Sequence, residues 1–145
     1  MYLRADGLPD DCDGRRCLAK EGDGAPAEVY RRYLQNGELG FQRCDGCGAA
    51  VFYPRVLCPV CGSDALRWRT SSGSGVVYAS TAVYRRDAEP YNLVLVDLEE
   101  GFRMMSRVEG MPAEEVGIGL RVLFAARVEA DGPVAIFEPA PQAGA

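Results

Sequence analysis

Hydrophobic positions change their spacing twice along this chain, and the changes divide it. From Pro26 to Asn36 the apolar side chains fall as Val29, Tyr30, Tyr33 and Leu34, the three-and-four spacing that puts them on one helical face. Pro26 suits a first helical turn, where its missing N–H is not needed, and Gly37 follows as a stop. Short apolar stretches over Leu39 to Arg43, Ala50 to Tyr53 and Leu66 to Arg69 then have the length of strands. Ser71, Ser72, Gly73, Ser74 and Gly75 form a polar hinge, after which the pattern becomes one of longer strands. These are expected over Val76 to Arg85, Tyr91 to Leu98, Phe102 to Val108, Leu120 to Glu129 and Val134 to Glu138. The run Leu93 to Val96 predicts a strand buried on both faces; in the fourth strand Val122, Phe124, Ala126 and Val128 alternate with Leu123, Ala125 and Arg127. Glu99, Glu100 and Gly101 read as a solvated hairpin turn, and Glu109 to Gly117 as a connector with room for a short helix. Five strands in about seventy residues, with one longer connection before the fourth, fit a small closed barrel, best an OB-fold.

The resulting fold class is mainly β: an N-terminal helix, a metal-stapled ribbon and a C-terminal five-stranded barrel. Residues 1–25, rich in Asp, Gly and Arg without periodicity, are expected to be a flexible tail. Residues 26–70 then hold the helix and ribbon, 71–140 the barrel and 141–145 a short C-terminal tail.

The ribbon is named for its cysteines. Cys44 and Cys47 make one C-x-x-C pair, Cys58 and Cys61 a second, ten residues on. Two intervening residues let both sulfurs of a pair face one point, and two such turns close the tetrahedral S4 arrangement that Zn²⁺ favours in structural sites. Gly46, Gly48 and Gly62 stand where the chain must curl around those sulfurs. Iron remains a competitor, because a rubredoxin-type site uses the same knuckles. Disulfides are the other alternative; Met1 to Ala19 has no apolar core of a secretory leader, so a reducing, cytoplasmic setting is expected. Cys12 and Cys17 read as free thiols in the tail. Trp68, the single tryptophan, is expected to cover the seam between ribbon and barrel.

Charge narrows the function. Residues 1–69 carry ten basic and ten acidic side chains, so the formal net charge of −5 belongs to the barrel half. A single-strand nucleic-acid module, the alternative reading of an OB-fold, needs a basic groove with exposed aromatics. Tyr78, Tyr84 and Phe102 could stack bases, but the acidic barrel opposes phosphate, and no nucleic acid is expected as partner. No apolar run approaches the roughly twenty residues of a membrane span. Histidine is absent, and no nucleophile stands beside a base: Asp97, Glu99 and Glu100 lie around a turn, and the ribbon cysteines are committed to metal. A non-catalytic chain is therefore expected.

From Glu28 to Pro139 the sequence resembles the family of zinc-ribbon and OB-fold proteins associated with acyl-CoA metabolism, long catalogued as a domain of unknown function. The resemblance is carried by Gly37-Glu38-Leu39, Gln42-Arg43, both knuckles, Tyr53-Pro54-Arg55, Gly73 with Gly75, Pro90-Tyr91, Val96 to Gly101, Ser106-Arg107-Val108 and Ile118-Gly119. It implies a rubredoxin-like zinc ribbon followed by an OB-fold. It further implies an accessory subunit of a thiolase-like or hot-dog hydratase-like enzyme, helping to form an acyl-CoA site shared with that partner. Arg43, Arg55, Arg67 and Arg69, on or beside the ribbon, are the candidates for the anionic end of the CoA.

Overall fold

A computed structural model describes residues 24–141. The tails expected over residues 1–25, with Cys12 and Cys17, and over 141–145 therefore lie outside the described residues, except for 24, 25 and 141.

Helix α1 spans Pro26–Gln35, with Pro26 in the first turn as the sequence requires. It ends in two reverse bonds, Gly37 N–H to Leu34 O at 3.0 Å and Glu38 N–H to Tyr33 O at 2.9 Å. These satisfy carbonyls that the helix itself leaves open, with Gly37 in the left-handed conformation they need. Val29, Tyr33 and Leu34 are buried, and Tyr30 rests edge-on against Phe52.

The chain then forms a small antiparallel sheet in the order β2-β1-β3, from β1 (Gly40–Cys44), β2 (Ala50–Val51) and β3 (Leu66–Thr70). Helix α1 seats on β1 at Gly40. A Cβ there would lie 2.5 Å from Tyr33 Cγ, and the Tyr33 ring is itself held by stacking on Trp68 at 5.5 Å. Gly40→Ala is accordingly expected to cost about 1–3 kcal/mol through overpacking. Urea unfolding would read this as a lower midpoint; an unchanged midpoint would mean that the helix is not held against this strand.

Five further strands make the second sheet, all antiparallel in the order β6-β5-β4-β7-β8. They are β4 (Ser74–Arg85), β5 (Ala88–Leu98), β6 (Arg103–Ser106), β7 (Arg121–Glu129) and β8 (Gly132–Pro139). A parallel bridge between Val108 and Phe137 joins the two ends of this order and closes the barrel, the OB topology. Buried Asn92 locks the closure: its side chain donates to Val108 O and accepts from Val108 N–H, both at 2.8 Å. The connector before β7 contains one 3-10 turn, Ala113–Glu115, and sends Val116 into the core.

Three expectations about the barrel strands need correction. Strand β5 begins at Ala88 rather than Tyr91, because a β-bulge between Val83 and Arg85 leaves Pro90 where its missing N–H is tolerated. Its apolar run is buried on one face only: Val94 and Val96 point inward, whereas Leu93 is 38% exposed, since among the described residues none covers the barrel's outside there. In β7 the inward alternation ends early, with Val128 81% exposed, because β4 pairs only with residues 121–123 and the rest of the strand leaves the barrel with β8.

One core runs through both sheets. Leu39 and Phe41 pack with Val77, Val96, Phe102 and Phe137 of the barrel. The seam is made by Phe102, stacked on Phe41 at 4.9 Å and on Phe52 at 5.0 Å. Trp68 serves the junction of helix and ribbon instead, on the opposite face of β1, because its cross-strand partner is Gln42 and not Phe41. The hinge is also tied down. Glu100 accepts from Ser71 Oγ at 2.7 Å and from Ser72 N–H at 2.6 Å, so this turn residue is a latch and not merely solvated. Among the described residues no helix is long and apolar enough to cross a membrane.

Candidate metal centre

Cys44 closes β1, Cys47 lies in the turn after it, and Cys58 and Cys61 occupy a second turn of the same build. In each, the residue after the second cysteine bonds back to the carbonyl of the first: Gly48 N–H to Cys44 O at 2.8 Å, Gly62 N–H to Cys58 O at 2.9 Å. Both glycines have φ near +80°, a conformation costly for any residue with a Cβ, and this explains the two C-x-x-C-G strings. Gly46 lies close against the site: a Cβ there would stand 3.3 Å from Ser63 Cβ, 3.4 Å from Cys61 Sγ and 3.5 Å from Cys44 Sγ, a snug fit that a small shift of Ser63 would accommodate.

The four sulfurs lie within 4.8 Å of one another. Cys44 and Cys61 approach to 3.5 Å, Cys47 and Cys58 to 3.7 Å. A Zn–S bond of about 2.3 Å implies tetrahedral sulfur edges of about 3.8 Å, so the spacing fits a single ion. Backbone donors complete the fit, with Gly46 N–H directed at Cys44 Sγ (3.3 Å) and Val60 N–H at Cys58 Sγ (3.4 Å). Such bonds stabilise thiolate charge.

The acidities carry the same message. The N–H of Cys61, with that of Val60, draws the Cys58 thiol down to about 7. The N–H of Ala49 lowers Cys47, but desolvation and the crowding thiols of Cys58, Cys61 and Cys44 outweigh it and push Cys47 up to about 12. Cys58 ionises readily while Cys47 resists. A divalent cation at the centre is what four thiolates at this spacing require. Cys44 and Cys58 are buried; Cys47 and Cys61 are exposed.

The four arginines are not gathered in one place. Arg43 spans the seam, donating to Gly48 O (3.0 Å) and Glu100 O (3.2 Å) with its guanidinium over Phe41. Arg69 pairs with Phe41 across the ribbon sheet. Arg55 and Arg67 do line a common cleft of ≈ 290 Å³ beside the start of α1, but Asp45 and Asp64 line it too, and Arg67 is bonded to Asp45 at 2.6 Å. Its charges balance. For the aromatics, Phe102 is buried, and Tyr78 is covered by the Arg103 guanidinium at 3.5 Å, itself paired with Asp97. Of the three proposed stacking residues Tyr84 alone leaves its ring uncovered, at 66% exposure.

One residue that shapes this site, Gln42, stands among those that carry the family resemblance, but the sequence assigns it no role. Gln42 is buried, and its amide holds the arm between the knuckles by both ends, accepting from Arg55 N–H at 2.7 Å and donating to Arg55 O at 2.9 Å. The available signal is a lone amide in an otherwise buried β1.

Comparison with known proteins covers this same unit. A family model described as "ChsH2, rubredoxin-like zinc ribbon domain" matches residues 31–67, and one described as "ChsH2, C-terminal OB-fold domain" matches residues 68–134. The chain is 30% identical over 112 residues to a DUF35 domain-containing scaffold protein of Pyrococcus furiosus, covering 72% of this chain and 82% of that protein. It is 32% identical over 110 residues to a probable enoyl-CoA hydratase alpha subunit of Thermomonospora curvata, covering 70% of this chain and 34% of that one. In fold it is similar to a chain of the solved Ltp2-ChsH2(DUF35) aldolase, with a TM-score of 0.72 at 24% identity, over 84% of this chain and all of that one.

Proposed function

The chain belongs to the DUF35 family of zinc-ribbon and OB-fold proteins, and we propose that it is a non-catalytic subunit that binds and braces an enzyme acting on acyl-CoA thioesters. The observation that carries this reading is the match of 72% of this chain to 82% of a protein named a scaffold. The names of one further relative, a hydratase subunit, and of a structure of similar fold, an aldolase complex, support an enzyme as the partner. Within that class a thiolase-superfamily or a hot-dog hydratase-like protein is the partner we favour.

The division of labour follows from the chemistry of the chain's own residues. The partner supplies nucleophile and base. This chain supplies a stiff body in which ribbon and barrel share one core, with a structural Zn²⁺ held by Cys44, Cys47, Cys58 and Cys61. When bound, the ion offers no open position and serves as a staple. Any share in the CoA site would fall to Arg55, which is exposed at the ribbon cleft, and less to Arg43, whose donors are taken up within the seam.

Affinity purification of the tagged chain from its native cell at ordinary expression, followed by mass spectrometry, tests this. A thioester enzyme of either class in near-equal amount is the expected result. Turnover of an acyl-CoA substrate by the isolated chain, or co-purification of nucleic acid in place of an enzyme, would overturn it.

A further inference from the structure

We infer that the enzyme partner docks by an apolar surface on the outer face of β4, β5 and β6, centred on Leu93, Leu95 and Met105, which rests on the subunit reading above and adds the face that carries it.

Alternation singles this face out. A strand with the core on one side and water on the other carries polar residues on its wet side. Along β5 the buried positions are Asn92, Val94, Val96 and Leu98, so Leu93, Leu95 and Asp97 look outward. Met105 lies across from Leu95 on β6, and Val76 lies across from Asp97 on β4. Tyr78 sits beside them under the Arg103 guanidinium. Three neighbouring strands thus turn Leu, Leu, Met, Val and Tyr to the same side, and Leu93, Met105, Val76 and Tyr78 are exposed there. Adjoining apolar side chains of this kind, unlike single exposed ones, mark a place where another protein sits.

The polar groups among them are already satisfied. Asp97 holds Arg103 through both carboxylate oxygens, with Arg103 Nε donating to one and Nη2 to the other. The N–H of Met105 donates to Tyr53 Oη at 3.2 Å. A protein that covers the face therefore strands neither charge of that pair nor that donor, and it avoids the cost that an unpaired buried group carries. What such a face rewards is apolar contact.

Two observations choose the occupant. Tyr53 belongs to the arm between the knuckles and the other residues to the barrel, so a protein seated here holds both parts at once, as bracing requires. A second copy fits poorly, because residues 70–145 carry the whole net charge of −5 and a two-fold pair would set two such halves against each other. The partner surface expected is apolar at its centre and basic around it.

The experiment uses the tagged full chain, purified from its native cell with the enzyme that accompanies it. Met105→Asp and Leu93→Asp place a charge in the face and should lower the enzyme recovered per chain by about tenfold or more. Met105→Leu should keep it, as should Val128→Asp, a change at the exposed far part of β7. Zinc content and melting temperature show that each variant is folded. Hydroxyl-radical footprinting of the wild-type complex gives a reading that needs no variant: Met105 and Leu93 should be protected relative to the chain alone, and Val128 should not. Enzyme retained by both Asp variants, or Met105 left open in the complex, overturns the inference and leaves the subunit reading standing. A wild-type chain that brings down no thioester enzyme overturns both. A dimer of the chain alone, seen by light scattering and dissolved by Met105→Asp, would give the face to a second copy and overturn the inference as well.

Discussion

Exchange of Cys44 or of Cys61 for Ser is expected to abolish metal binding and to lower the melting temperature of the whole chain, not of the ribbon alone. The ribbon's own buried cluster is Cys44, Val51, Cys58 and Leu66, two of them metal-facing sulfurs. Apolar burial on that scale cannot organise two knuckles, and the binding energy of a structural zinc, on the order of 10–16 kcal/mol in small zinc modules, is what can. The effect then spreads, because Phe41, on the same strand as Cys44, and Leu39, just before that strand, are members of the barrel's core. A ribbon that unfolds withdraws both from Val77, Val96 and Phe102. If this costs the barrel about 4–5 kcal/mol, on the scale of a large core truncation, the melting temperature falls by roughly 15 °C. Elemental analysis and scanning calorimetry of the two variants give the answer. Stoichiometric zinc with an unchanged melt would remove the structural role, and a barrel that melts unchanged after the zinc is lost would show that the two parts are independent.

That outcome separates two things the chain encodes differently. The metal centre is legible because its rule is local: two intervening residues and a following glycine fix each knuckle, and Cys44 to Gly48 and Cys58 to Gly62 spell it twice. The start of β7 is legible for a similar reason, since alternation marks Val122 as inward, whereas the continuous apolar run Leu93 to Val96 does not show which of its residues face the core. What joins the parts has no such signature. Phe41, Phe52 and Phe102 are distant in sequence and meet only once the barrel has closed. Read without that closure, Phe102 looks like a free stacking residue and Trp68 like the seam. Glu100 is misread in the same way: a carboxylate in a turn is ordinarily solvated, and only the approach of the hinge gives it Ser71 and Ser72 as donors. Register supplies the rest. Since Gln42 and not Phe41 lies across from Trp68, the tryptophan belongs to the helix side. The arginines fail to converge for the same reason, each being placed by its own strand or loop rather than by a common site.

Phe102→Ala is the substitution that tests the shared core directly, without touching the metal ligands. The side chain is buried and lies between Phe41 of the ribbon and Phe52 of the arm that leads to the second knuckle. Truncation removes the transfer energy of the ring and leaves a cavity, about 3–5 kcal/mol together. That is a large fraction of the about 5–15 kcal/mol by which domains are stable, and a fall of roughly 10–15 °C in melting temperature should follow. Tyr84→Ala provides the comparison, since an exposed ring at the far end of β4 should change stability by no more than about 0.5 kcal/mol. The decisive reading lies in the ribbon of the Phe102 variant. Zinc should remain bound, because the knuckles are intact, while hydrogen exchange quickens at β1 and β2 as well as in the barrel. For a subunit that braces an enzyme, this coupling is what lets a staple in the ribbon set the attitude of the barrel: a ribbon packed on the barrel through three stacked rings cannot swivel on its serine-glycine hinge. Exchange that quickens in the barrel alone would sink that view, and would leave ribbon and barrel as two modules joined by a flexible linker.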